Sequence, residues 1–255
     1  MKRDCNRIRT TPKVFSWTPE YTSDLMWEDP DGRNLVLGDV LVIEKGQSVR
    51  FRESGQTIWY REPGSQNIGI FGINQQKMLE SVARGRTLEG LQFATSIVFI
   101  KLENTACMLQ AGETISISNL ISVRPSFRVE ISVENDVVFA DSFQPGTALS
   151  QVTGAMMIKA DMWMRSFFPS VFHIGTSDDD AKLLLNSLDF QGKMEMELLK
   201  TLKEDLDLNT RWGIGIDHLD FVDWNIQYGK ICPYCGKYVE VDDLGRCPVH
   251  LCKLK

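Results

Sequence analysis

The sequence predicts an α+β protein with a small metal-type module near its C-terminal end. Three observations carry that prediction. Apolar residues recur with period two through much of residues 40–140, the spacing of strands with one buried face. From Pro145 and Gly146 onward the period lengthens to that of helices. Strands and helices segregated along a chain indicate α+β rather than alternating α/β. The last 24 residues then hold four of the six cysteines, Cys232, Cys235, Cys247 and Cys252.

The 255 residues suffice for one ordinary core plus a small module. With 43% hydrophobic and 24% charged residues, wholesale disorder and a coiled-coil rod are excluded. The formal charge of -6 is uneven. Residues 1–15 carry +4 and residues 228–255 carry +2, leaving -12 between them. An acidic body argues against a general nucleic-acid binder. The basic ends are either solvated or fitted to an anionic surface, lipid or acidic protein.

Residues 1–34 read as an irregular arm, with Pro12, Pro19 and Pro30; Trp17, Tyr21, Leu25 and Trp27 imply that it packs on something. The spacing next predicts a three-stranded meander. Residues 40–43 form a buried-type run, Lys45-Gly46 turns, residues 47–53 alternate, Ser54-Gly55 turns, and residues 57–61 return. Glu62-Pro63-Gly64 closes it, and residues 65–92 are ambiguous between strand and short helix. Residues 93–102 and 106–109 predict strands joined at Glu103-Asn104.

The clearest alternation follows. Ile121, Val123, Phe127, Val129, Ile131 and Val133 share one face of a long predicted strand, with Pro125 at a bulge or edge. Asn135-Asp136 turns, and Val137, Val138 and Phe139 resume the strand. A helix over 148–168 ends at Pro169. Thr176-Ser177, followed by Asp178, Asp179 and Asp180, caps a second helix running to about Leu208, with a kink at Gly192. Residues 212–221 return as a strand.

Cys232-Pro233-Tyr234-Cys235-Gly236 has the spacing of a zinc knuckle, and Cys247-Pro248-Val249-His250-Leu251-Cys252 supplies the second half of a ribbon. The expected ligands are Cys232, Cys235, Cys247 and His250, with Cys252 as the alternative fourth. A segment this poor in large apolar residues needs a metal to fold. Structural zinc contributes roughly 10–16 kcal/mol in small fingers. Four protein ligands leave no place for a reacting water, so the expected cofactor is structural zinc.

No other chemistry is expected. The Gly213-x-Gly215 pair follows a helix and enters a strand, the wrong context for a phosphate loop. The three aspartates read as helix capping. His173 and His218 have no partners at catalytic spacing. Met156, Met157, Met162, Met164, Met194 and Met196 read as core, with a partner groove as the alternative.

Several motifs in order resemble the stomatin/prohibitin/flotillin (SPFH, or Band 7) family. The match looks nearest to its soluble bacterial virion-core-protein-like branch, which ends in a zinc ribbon. Asp24-Leu25-Met26-Trp27 precedes residues 38–49, which are similar to the family's opening strand. Gly55 and Pro63-Gly64 sit at its turns, residues 97–100 resemble its "V-Y-F" strand, and residues 123–141 resemble its alternating strand. Residues 198–216, with the Trp212-Gly213-Ile214 step, resemble its long helix running into a strand. The resemblance covers about residues 24–255, with an SPFH-like domain over 35–227 and a ribbon over 228–255.

The family's membrane hairpin and long coiled coil have no counterpart in these residues, so a large membrane cage is not expected. The resemblance implies a non-enzymatic, self-associating scaffold that recruits a protein partner. A phage-shock-type membrane stress protein is the candidate partner it suggests. The basic arm adds an anionic lipid surface as a candidate contact. No run approaches the roughly 18 apolar residues of a membrane span, and no apolar stretch follows the N-terminal basic residues. The expected location is cytoplasmic, with any membrane contact peripheral at the inner face. The alternative function is a zinc-ribbon adaptor for nucleic acid or a protein complex with no membrane role.

Overall fold

A computed structural model describes residues 11–19, 24–33, 35, 38–53, 56–68, 95–118, 120–173, 176–234, 238–239, 246–247, 249–250 and 252. Among these, strands and helices form a mixed α+β chain, as predicted. It divides into two compact units. Unit 1 comprises residues 1–103, 132–150 and 211–213; unit 2 comprises 104–131, 151–210 and 214–255.

Among the described residues, unit 1 contains two sheets. In the first, β1 (Val14–Phe15) pairs in parallel with β3 (Val40–Ile43), which pairs antiparallel with β6 (Gly64–Asn67). The second has the order β2 (Met26–Glu28), β7 (Thr95–Lys101), β4 (Gln47–Glu53), β5 (Gln56–Tyr60). The predicted meander is therefore split. Lys45 and Gly46 do turn the chain, with Gly46 at φ +77°. Beyond that turn β4 pairs along its whole length with β7, from Gln47 opposite Lys101 to Glu53 opposite Thr95. Periodicity assigns faces to strands, and it leaves their partners open.

Both sheets feed one core. Phe15, Trp17, Leu41, Ile43, Val49, Phe51, Ile97 and Phe99 are all buried there. The N-terminal arm packs as its aromatic residues imply, Trp17 and Trp27 lying against Phe99 at 6.3 and 5.8 Å between ring centroids. Ser48 and Arg50, which alternate with Val49 and Phe51 along β4, are buried too. Arg50 donates from Nη1 to the Ala140 carbonyl at 2.8 Å.

Ala140 belongs to a helix, α1 (Asp136–Ser142), where the alternation predicts a resumed strand. The Asn135-Asp136 pair caps rather than turns: the Asn135 side chain accepts from Val138 N at 3.2 Å. The cap and the Asp136 carboxylate in the first turn outweigh the strand preference of Val137 and Val138. Asp136 also takes a two-pronged contact from Arg61, at 2.8 and 2.9 Å.

Unit 2 is built on a sheet of order β12 (Ile214–Asp223), β11 (Ser126–Val133), β8 (Thr105–Gln110). A smaller sheet has the order β13 (Gln227–Tyr228), β10 (Ile121–Val123), β9 (Ile115–Ser116). The long predicted strand thus breaks at Arg124-Pro125, and its halves enter different sheets. Proline removes the donor a continuous ladder needs. Arg124 instead donates its backbone N–H to Trp224 O at 2.8 Å.

The helices of unit 2 present regular apolar stripes. In α2 (Ala148–Val171) the buried residues include Val152, Met156, Ala160, Met164, Phe167 and Phe168. Pro169 lies inside the last turn rather than after it, and the helix closes two residues later. The single predicted second helix is two helices, α3 (Asp178–Leu185) and α4 (Leu188–Leu206). The break comes at Asn186 and Ser187, not at Gly192, because Ser187 starts a new helix by accepting from Phe190 N. Phe190, Met194, Leu198 and Leu202 line the buried side of α4 at four-residue spacing. Each such side chain contributes about 1.5–3 kcal/mol of burial. A short helix, α5 (Leu208–Trp212), leads into β12.

An aromatic cluster joins these elements. Phe167 stacks on Phe190 at 6.0 Å, Phe190 on Trp224 at 6.0 Å, and Phe168 meets Trp224 edge-on at 6.1 Å. Trp224 Nε1 donates to Leu185 O at 2.9 Å in the buried interior. Met156, Met164 and Met194 are fully buried, while Met157, Met162 and Met196 are exposed. The expected core role therefore holds for three of the six methionines.

Candidate metal centre

The C-terminal module begins where the smaller sheet of unit 2 ends. Gly229 donates to Leu120 O at 2.7 Å, which ties its start to β10. A two-residue ladder follows, β14 (Lys230–Ile231) antiparallel to β15 (Tyr238–Val239). Cys232 leaves the end of β14. Its burial is complete, as is that of Cys247, and only Val239 and Cys252 among partly buried hydrophobic residues pack on them within the described residues. Among the described residues, three cysteines and one valine make too small an apolar cluster to hold a fold alone.

Cys232, Cys247 and His250 lie close enough to hold a metal ion, their ligating atoms all within 4.8 Å of one another. His250 Nδ1 is 3.5 Å from Cys232 Sγ and 3.6 Å from Cys247 Sγ. Zinc bonds of about 2.3 Å to sulfur and 2.0–2.1 Å to nitrogen, at tetrahedral angles, require a sulfur-to-nitrogen edge of about 3.6 Å. The two observed edges have that length. Hydrogen bonding explains the convergence less well. A lone imidazole acceptor takes one S–H at a time, yet two sulfurs approach the same ring nitrogen.

The backbone is arranged around the sulfurs. His250 N donates to Cys247 Sγ at 3.4 Å, as a knuckle turn requires. Cys247 N donates to Cys252 O at 2.9 Å, closing the six-residue loop. Cys252 Sγ lies 3.6 Å from Cys232 Sγ. Tyr234 stacks on the His250 ring at 6.1 Å and 23°. That stack was not read from the sequence, although Tyr234 and Val249 occupy equivalent third positions of the two halves. Of the expected ligands, the structure brings together Cys232, Cys247 and His250, with the alternative Cys252 beside Cys232. Cys235 lies outside the described residues.

The remaining polar features offer less. Gly213, at φ +69°, accepts at its carbonyl from Glu134 N and Asn135 N, at 2.9 and 3.0 Å. It follows α5 and precedes β12, the helix-to-strand context expected from the sequence. Ser177 caps α3 through Asp180 N, and Asp178 accepts from Ser118 Oγ at 2.5 Å. His218 does have an acidic neighbour, Asp220 at 2.7 Å, but both are exposed on β12. Burial pushes the Cys107 thiol up to about 11, which makes it a poor nucleophile. An open groove lined by Val171, Phe172, Leu183, Leu184 and Asp180 holds a single carboxyl group, accepting from Ser177 Oγ at 2.6 Å. Among the described residues, no helix is long and apolar enough to cross a membrane.

The chain matches no protein-family model and no curated protein. The SPFH resemblance therefore rests on the sequence motifs quoted above.

Proposed function

We propose that the protein is a non-enzymatic, self-associating scaffold whose C-terminal module is a structural zinc ribbon that recruits a protein partner. The observation that carries this reading is the convergence of Cys232, Cys247 and His250 at zinc-type spacing. Thiolate and imidazole together suit zinc better than magnesium or calcium, which take oxygen ligands. With Cys235 as the fourth ligand the coordination shell is all protein, which is the pattern of structural rather than catalytic zinc. Ile158, Met162, Leu183, Leu188 and Met196, each more than half exposed on the helices of unit 2, support a role in association. The SPFH resemblance extends the proposal to a peripheral position at an anionic membrane and to an envelope-stress partner.

Light-scattering chromatography of the purified chain, with and without anionic vesicles, tests this reading. A discrete oligomer carrying one zinc per chain is the expected result, and a shift with vesicles supports the membrane role. A monomer that ignores vesicles and captures no protein overturns the scaffold. A second reading, a ribbon adaptor for nucleic acid, is favoured by the exposure of Tyr234 (76%) in a module whose sequence carries a net positive charge. An exposed ring can stack on a base. Retention on single-stranded DNA that falls steeply with salt would support it.

A further inference from the structure

The three described cysteines of the module are not equivalent. Cys232 and Cys247 are fully buried, whereas Cys252 is half-buried. The compact donor triad is completed by His250 rather than by Cys252. Cys252 nevertheless holds its sulfur 3.6 Å from that of Cys232. A partly exposed thiol outside the triad thus touches a buried thiol inside it.

We infer that Cys252 is a modification site for hydroperoxides, and that its oxidation withdraws Cys232 from the metal. The inference rests on the reading that Cys232, Cys247 and His250 hold zinc. Exposure decides which sulfur reacts first, since a peroxide reaches Cys252 more readily than the buried pair. The Cys252 thiolate attacks one oxygen of hydrogen peroxide. The O–O bond breaks, hydroxide leaves and takes up the thiol proton as water, and Cys252 becomes a sulfenic acid. The Cys232 thiolate then attacks the Cys252 sulfur and expels the sulfenic oxygen as hydroxide. Two thiol sulfurs have each lost one electron, and the peroxide has gained two.

The product is a Cys232–Cys252 disulfide. The sulfurs must close from 3.6 Å to the ~2.05 Å of an S–S bond, a displacement of side-chain size. A disulfide sulfur is a far weaker zinc ligand than a thiolate, so the ion loses one of its anchors. Among the described residues few apolar contacts hold the module, so loss of the ion unfolds it. A thiol reductant reverses the step by exchange.

The test uses the zinc-loaded full chain treated with hydrogen peroxide. Zinc release is followed with a chromogenic chelator, and disulfides are mapped by mass spectrometry. The expected result is a Cys232–Cys252 disulfide formed in step with zinc release, with rebinding of zinc after reduction. Cys252→Ser and Cys252→Ala should keep zinc at rest and release it about tenfold more slowly under peroxide, because the accessible thiol is gone. Loss of resting zinc in both variants would make Cys252 a ligand and overturn the inference while leaving the zinc ribbon intact. A disulfide that excludes Cys252, or release at the wild-type rate in the variants, would also overturn it. A wild-type chain that binds no zinc would fail the metal reading itself.

Discussion

Replacing Gly213 by alanine should destabilise unit 1 by about 2–5 kcal/mol. Gly213 sits at φ +69°, and the left-handed region costs an L-residue about 1–2 kcal/mol. An added Cβ would lie 2.2 Å from Asn135 O and 3.1 Å from Phe139 N. Both atoms are backbone at the start of α1, so no flexible side chain can swing aside. Relief of the clash must move the Gly213 carbonyl away from Glu134 N and Asn135 N. Two backbone hydrogen bonds weakened at about 0.5–1.5 kcal/mol each supply the rest. Gly192→Ala is the matched control. It lies within α4 with open space around its Cβ, so alanine should stabilise by about 1 kcal/mol through helix propensity. Urea unfolding followed by tryptophan fluorescence gives both values by linear extrapolation. A Gly213→Ala chain within about 1 kcal/mol of wild type, or equal damage at both glycines, would refute the reasoning.

Asp136→Asn should cost about 1–2 kcal/mol at neutral pH, since it removes a charge-assisted pair whose arginine is half-exposed. Burial disfavours the Asp136 charge, but the Arg61 contact outweighs it and holds the carboxyl below its ordinary value. A depressed native value means the contribution is present above the unfolded pKa of about 4 and lost as pH falls through the native one. The gap between wild type and variant should therefore close on acidification, and a constant gap down to pH 2 would contradict it. Trp224→Phe should cost about 0.5–1.5 kcal/mol through the lost hydrogen bond, because Leu185 O loses the indole donor and keeps Gln191 Nε2; urea midpoints check this. Alkylation at pH 8 should leave Cys107 unmodified in the native chain and modify it after denaturation, as a thiol held near 11 predicts. Native labelling of Cys107 would show that it is not buried.

Much of the fold was legible because burial imposes period. The stripes of α2 and α4, the Ser177 cap, the apolar face shared by β10 and β11, and the Lys45-Gly46 turn all follow from local rules. Pairing was not legible. Val40–Ile43 and Gln47–Glu53 are adjacent in sequence and enter different sheets, and nothing in an alternating strand names its neighbour. Residues 137–139 misled because three β-prone residues were weighed without the Asn135 cap before them. Pro125, expected at a bulge or an edge, instead separates one strand from the next. Ser187 was overlooked as a cap because the leucines on either side continue a helical pattern. The convergence of Cys232, Cys247 and His250 was legible as well, since knuckle spacing acts over a few residues. What spacing could not give was the apposition of Cys252 to Cys232, which depends on how the 247–252 loop closes.

Metal analysis of the purified chain, beside the Cys232→Ser/Cys247→Ser variant, tests most directly whether Cys232, Cys247 and His250 hold an ion. One zinc per wild-type chain and none in the variant is the expected result. Chelation should then unfold the C-terminal module while residues 35–225 stay folded by circular dichroism and proteolysis. A wild-type chain without stoichiometric metal, or a variant that binds as much as wild type, would contradict it.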